Sequence, residues 1–271
     1  MRNVLSLASL SALILLAQPV AAGSLTYDCQ ARMTRVETIP PPADPHPWQC
    51  TAPKAEKSTM ATHWVRNSLE YCRIAVNAYD QALAAARRIA KTHKPRSWVV
   101  LMDADETVLD NSLFDRERDR CAAPVEDAQW ESWVHANMAR DVPGAAAFTQ
   151  AVHKLGGLVG IVTNRAQSDD AITQTTLKNA GIWFDTETGM TDKPDKVARW
   201  NGAVAALQAK VGGHPRAVMW LGDQVTDLAI VDGKGNVVRA MNQLDDGKGI
   251  GVYLFLIPNP MYGGWSKNAD N

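Results

Sequence analysis

What most constrains the fold of this chain is a series of short apolar runs, each ending in polar residues and separated from the next by helical pattern. The first, Trp98–Met102, gives way to Asp103-Ala104-Asp105. A second at 158–162 leads into Thr163-Asn164-Arg165, and a third at 217–221 into Gly222-Asp223, with Asp227 just beyond. One more run is expected at 252–257. Between them helices are expected at 143–155, 168–179 and 191–209; Gly156-Gly157 closes the first of these and Pro194 lies near the first turn of the last. Strands alternating with helices define an α/β domain whose parallel sheet is covered on both faces. Open sheets of this kind bind ligands outside the carboxyl ends of their strands, so the three polar strand ends are expected to share one pocket.

Alternate residues of an extended strand point the same way, which brings Asp103 and Asp105 close together where the first strand gives out. Two carboxylates crowded there need a cation or a shared proton. The plainer reading of an Asp-x-Asp run is a turn or a helix cap. Lys196, on the helix before the third strand, adds a positive charge to the group.

Composition removes several function classes. With 28 basic and 29 acidic residues, and a net charge of -1, the chain shows no bias toward a nucleic acid polymer or a membrane surface. Its 271 residues, 46% of them hydrophobic, fit one large domain. Residues 1–22 read as a secretory signal, with Arg2 at the start, an apolar stretch over 5–16 and Val20-Ala21-Ala22 at the end. That stretch is shorter than the roughly 20 residues a membrane span requires. No cysteine stands at the cleavage site, so no lipid or other stable membrane anchor is expected and the mature chain is placed in the periplasm or outside the cell.

Residues 23–57 form a separate arm, denied regular structure by Pro40, Pro41, Pro42, Pro45 and Pro47. The remainder, 58–271, is the main domain and opens on a long helix at 58–91 with Ser58 as its cap. Cys29, Cys50, Cys72 and Cys121 all lie in the first half of an exported chain, where disulfides persist. Of the three pairings, Cys29–Cys50 with Cys72–Cys121 is expected, since the first bridge would tie down the arm; free buried thiols are the alternative. No Cys/His pattern suits zinc.

Four groups of residues together resemble the haloacid dehalogenase superfamily: Asp103-Ala104-Asp105-Glu106-Thr107, Val162-Thr163-Asn164-Arg165, Lys196, and Gly222-Asp223-Gln224-Val225-Thr226-Asp227. The closer resemblance is to its class C non-specific acid phosphatases, the exported four-aspartate branch. It is carried by Trp64-Val65-Arg66-Asn67-Ser68, Leu109-Asp110-Asn111-Ser112, Trp130-Glu131-Ser132-Trp133, Lys196-Val197-Ala198-Arg199 and Pro258-Asn259-Pro260-Met261-Tyr262-Gly263-Gly264-Trp265. The resemblance implies a Rossmann-like core with a small, mainly helical cap, here around 111–142.

It also implies roles. Asp103 is the expected nucleophile, forming an aspartyl-phosphate, and Asp105 the expected proton carrier. One Mg²⁺ per chain is expected on the Asp103 side chain, the Asp105 backbone carbonyl and Asp223, with Asp227 a ligand or an acceptor behind the ligands. Other divalent cations suit the same oxygen donors. Thr163 is expected to bond a phosphoryl oxygen and Asn164 to shape the pocket; Arg165 reads equally as a surface or a supporting charge, and Thr107 as a turn cap. Lys196 is preferred over Lys193 as the active-site lysine. For a substrate ring, Tyr262 is the first candidate contact and Phe114 the second, whereas Trp130 and Trp133 are expected to pack.

The implied activity is hydrolysis of small phosphomonoesters, nucleoside 5'-monophosphates included. Alternatives are phosphotransfer to an alcohol acceptor, or a catalytically weak binding or storage protein on the same fold. The oligomeric state, a homodimer among the options, stays open.

Overall fold

The computed structural model describes residues 24–122, 124, 126–191 and 195–269; the signal-peptide expectation, Lys193 and Pro194 lie outside them. Helix α1 (Cys29–Met33) sits in the arm ahead of its prolines, where no regular structure was expected, and Asp28 caps it by accepting the Ala31 N–H. Helices α2 (Met60–Asn67) and α3 (Leu69–Thr92) precede strand β1 (Trp98–Met102). Then come β2 (Leu109–Asp110), α4 (Ser112–Cys121), α5 (Asp127–Ala136) and β3 (Arg140–Asp141). Helix α6 (Ala145–Lys154), β4 (Leu158–Ala166), α7 (Asp170–Asn179), β5 (Thr186–Met190), α8 (Lys196–Val211) and β6 (Arg216–Gly222) complete the alternation. The hairpin β7 (Ala229–Val231) and β8 (Val237–Ala240) precedes β9 (Leu254–Leu256).

Five strands form one parallel sheet in the order β5-β4-β1-β6-β9. The chain winds outward from β1 to β4 and β5, then returns to β6 on the other side. The order reverses between β1 and β6, and the crevice there is where doubly wound sheets hold ligands. Strand alternation divides the core. Val100 and Met102 face α3 and α6, packed with Tyr79, Phe148 and Val152, whereas Val99 and Leu101 face Trp200, Ala203 and Leu207 of α8. Fully buried β1, with both faces covered, fits a continuous apolar run in a parallel sheet.

The structure departs from expectation in the helical N-terminal half. The predicted helix at 58–91 is two helices, because Ser68 takes an extended backbone (ψ 141°) and its hydroxyl accepts the Tyr71 N–H at 3.0 Å, capping α3. Thr59, not Ser58, caps α2. The disulfide pairing is also corrected: Cys29 bonds Cys72 and Cys50 bonds Cys121. These bridges tie the arm to α3 and to the end of α4, rather than closing it on itself. Buried Arg32 reinforces the first tie, donating to the Val65 carbonyl at 2.7 Å and to Asp110 Oδ2 at 2.7 Å. Trp48 reinforces the second, buried with its ring edge-on to Trp133 at 4.8 Å. Among the described residues, no helix is long and apolar enough to cross a membrane.

Candidate active site

The loop after β1 turns back tightly. Ala104 presents its carbonyl to the N–H groups of Val108 and Leu109, each at 2.8 Å, and Glu106 sits in the left-handed region at φ 54°. Asp103 N–H still bonds the Leu221 carbonyl of β6, so this loop starts in register with its neighbouring strand. Asp103 and Asp223 therefore leave adjacent strands side by side. Asp227 joins them from the turn after β6, where a Cβ on Gly222 would lie 2.0 Å from that of Asp227. Only glycine permits that approach. Asp227 Oδ2 in turn accepts the Gln224 N–H at 3.0 Å.

Oxygens of Asp103, Asp223 and Asp227 gather within 4.8 Å of one another. Lys196, the first residue of α8 and 5% exposed, donates to Asp103 Oδ1 at 2.6 Å and Asp227 Oδ1 at 2.5 Å. Burial pushes Asp103 up to about 7; the Lys196 ammonium opposes that rise, whereas repulsion from Asp227 and Asp105 reinforces it. Asp223 also rises well above the carboxylate range, through burial and then repulsion from Asp227 and Asp103. Burial alone would lower the Lys196 ammonium, but its two carboxylate partners outweigh that and raise it. An all-oxygen, repulsive carboxylate set of this kind fits a hard divalent cation. Asp223 is held for that task by Asn259 Nδ2 at 2.8 Å and by the Thr107 hydroxyl at 3.3 Å.

Asp105 is engaged differently. Arg165, 2% exposed, donates Nε to both Asp105 oxygens at 3.1 and 3.2 Å and Nη2 to Oδ1 at 2.8 Å. Asn111, fully buried, donates its side-chain amide to the same Oδ1 at 2.8 Å. Trp133 Nε1 bonds Asn111 Oδ1 at 2.8 Å, so the cap fixes the amide that fixes the carboxylate. The two aspartates of the loop thus have distinct surroundings: Asp103 a lysine and two carboxylates, Asp105 an arginine and an amide. Arg165 and Asn111 were legible as motif residues, but their partnership with Asp105 depends on the meeting of β1, β4 and the cap.

The other predicted residues are placed as follows. Thr163 is buried within β4, three residues before its end, its hydroxyl accepting the Arg165 N–H at 3.1 Å. Asn164 is exposed, and its side-chain Oδ1 accepts from Arg199 Nη2 at 2.6 Å. Tyr262 stays 37% exposed and donates its hydroxyl to Glu106 Oε2. Phe114 is 2% exposed, edge-on to Trp130 and tilted against Trp133, so it packs within the cap core where an open substrate contact was expected. Trp130 also lies over the Arg165 guanidinium, 5.7 Å from ring centre to charge.

Carboxylates collected with a buried lysine at the switch point of a parallel sheet define a Rossmann-like domain suited to metal-assisted phosphoryl transfer. The family model for the HAD superfamily, subfamily IIIB (acid phosphatase), matches residues 22–265, and the chain belongs to that family. Its fold is similar to that of the class C acid phosphatase from Bacillus anthracis, at 22% identity and a TM-score of 0.63, covering 76% of this chain and 85% of that one. A crystal structure of class C acid phosphatase from Bacillus anthracis with tungstate bound is similar at 21% identity and a TM-score of 0.62, covering 78% and 90%.

Proposed function

We propose that this acid phosphatase is an exported, Mg²⁺-dependent enzyme that hydrolyses small phosphomonoesters, nucleoside 5'-monophosphates among them, through an aspartyl-phosphate on Asp103. The observation that carries this reading is the division of labour between neighbouring carboxylates. Asp103 is directed into the charged cluster with Lys196, whereas Asp105 is clamped outside it by Arg165 and Asn111.

Asp103 attacks phosphorus and the bond to the leaving oxygen breaks, while Asp105 gives its proton to that oxygen. Asp105, now a carboxylate, takes a proton from the water that attacks the aspartyl-phosphate; phosphate departs and Asp103 is restored. Asp103, the Asp105 backbone carbonyl, Asp223 and Asp227 are the residues that would hold Mg²⁺, and the ion would supply positive charge to neutralise the transferring group. Lys196 keeps Asp103 aimed and adds positive charge, and Thr163 supplies a hydroxyl for a phosphoryl oxygen. Two disulfides support residence in an oxidising compartment, periplasmic or external. The test is Asp103→Asn: hydrolysis of an aryl phosphate is expected to disappear while the circular dichroism spectrum is retained, and near-normal turnover would exclude the nucleophile.

A further inference from the structure

Glu106 takes no part in that chemistry, yet it is 2% exposed and occupies a left-handed backbone conformation (φ 54°) that residues with a Cβ rarely adopt. Such conformations persist where the surroundings over-determine them, and they collect at functional sites. Both of its carboxyl oxygens are used. Oε1 accepts the Asn111 N–H at 2.8 Å, and Oε2 accepts from Asn111 Nδ2 at 3.2 Å and from the Tyr262 hydroxyl. Tyr262 belongs to the segment that follows β9, and the same segment is anchored twice more. Asn259 bonds Asp223 at 2.8 Å, and the Gly264 N–H bonds Gln224 Oε1 at 3.0 Å. These three ties fasten 259–264 to the loops after β1 and β6, across the edge of the carboxylate cluster. Only the Glu106 tie holds an aromatic ring, and that ring keeps an exposed face.

We infer that Glu106 is a positioning residue for specificity: by accepting the Tyr262 hydroxyl it fixes the ring as a rigid wall at the mouth of the site, favouring phosphomonoesters whose leaving group carries a ring. This rests on the phosphomonoesterase reading above. A tyrosine has few rotatable bonds, so one hydrogen bond at its tip removes most of the motion that substrate binding would otherwise have to freeze. An aliphatic leaving group gains little from such a wall.

The experiment compares wild type, Glu106→Gln, Glu106→Ala, Tyr262→Phe and the double variant Glu106→Ala/Tyr262→Phe on phenyl phosphate and glycerol 2-phosphate. Hydrogen exchange of the 259–264 amides provides a readout independent of turnover. Losing one net hydrogen bond predicts about a fivefold rise in KM for phenyl phosphate in Tyr262→Phe; Glu106→Ala, which also removes both bonds from Asn111, is expected to raise it at least as much. In Tyr262→Phe, which leaves Asn111 and Asp105 untouched, KM for glycerol 2-phosphate is expected within about twofold of wild type, and the Gln variant, which keeps one acceptor oxygen of two, is expected to fall between wild type and Glu106→Ala on phenyl phosphate. The double variant is expected to lose no more than Glu106→Ala alone, since the bond removed by Tyr262→Phe is already gone there. Exchange at 259–264 is expected to quicken in both single variants. Should Glu106→Ala not fold, Tyr262→Phe removes the same bond from the exposed side. Equal losses on both substrates in Tyr262→Phe, additive losses in the double variant, or unchanged exchange would overturn the inference. Wild type inactive on both substrates would instead refute the phosphomonoesterase reading, with exchange still deciding whether the tie exists.

Discussion

Replacing Arg165 with methionine removes the fork that holds Asp105 while keeping an apolar stem against Trp130 of the cap. The side chains of the pair are 1% and 16% exposed, so the variant leaves a mostly buried carboxylate without its cation. Breaking a buried pair costs about 3–5 kcal/mol, and the partial exposure of Asp105 places this case near the lower end, about 3 kcal/mol. In a domain of this size each kcal/mol moves Tm by about 2–4 °C, so a fall of roughly 6–12 °C is expected. Kinetics carry the sharper test. If Arg165 serves to aim Asp105 as a proton donor, the damage depends on how much the leaving group needs the proton. General acid catalysis contributes about 10²–10⁴-fold, and an alkoxide leaving group depends on it where 4-nitrophenolate does not. The turnover of glycerol 2-phosphate should fall about 100-fold or more, and that of 4-nitrophenyl phosphate about 10-fold or less, both measured below the lowered Tm. Arg165→Lys, which keeps the charge but not the planar fork, should lie between. An identical factor for the two substrates would refute the positioning argument and leave Arg165 a purely structural residue.

Chelation should abolish activity, and Mg²⁺ should restore it at unchanged protein concentration; full activity after exhaustive chelation would contradict the carboxylate cluster's assigned use. On β5, burial and the adjoining Asp170 raise Glu187 to about 7, against weaker opposing effects of Gln174 and Arg165. Between an unfolded carboxyl's pKa of about 4.3 and that value the native state binds the extra proton, so this site makes stability fall as pH rises through the window. Denaturant titrations of Glu187→Gln across pH 4–8 should accordingly show a flatter profile than wild type. Replacing Cys50 and Cys121 with alanine opens a loop of 71 residues, and a loss of about 4 kcal/mol is expected from chain entropy. Peptide mapping of the unreduced wild type should show Cys29 joined to Cys72 and Cys50 to Cys121; a Cys29–Cys50 peptide would contradict the pairing.

The parallel sheet was legible because its central strands are continuous apolar runs that end in polar residues, and Trp98–Met102 followed by Asp103 shows this most clearly. Strand β5 was not, since Thr186-Glu187-Thr188-Gly189-Met190 lies at the sheet edge and only Gly189 is buried. The hairpin of β7 and β8 was equally hidden, its three- and four-residue strands being too short to display a period. Ser68 carried a readable cap signal, but the helical spacing on either side masked the break it makes. The cysteine pairing lay beyond sequence because it depends on where α3 and α4 pass the arm. At the site, the residue types of the charged cluster were visible as motifs. What the chain alone did not show was Arg165 turning inward onto Asp105, or Glu106 reaching across to Tyr262, both of which exist only once strand ends, cap and C-terminal segment converge.

The central claim is that Asp103 carries the phosphoryl group, and trapping it is the most direct test. In Asp105→Asn, 4-nitrophenyl phosphate should still phosphorylate the enzyme, because its leaving group needs no proton, whereas the water step slows for lack of a base. Rapid mixing should then release a burst of one nitrophenolate per chain, and borohydride quenching should convert residue 103 alone to homoserine by mass spectrometry. A burst with the modification on another residue, or steady turnover with no burst and no modified Asp103, would contradict the account.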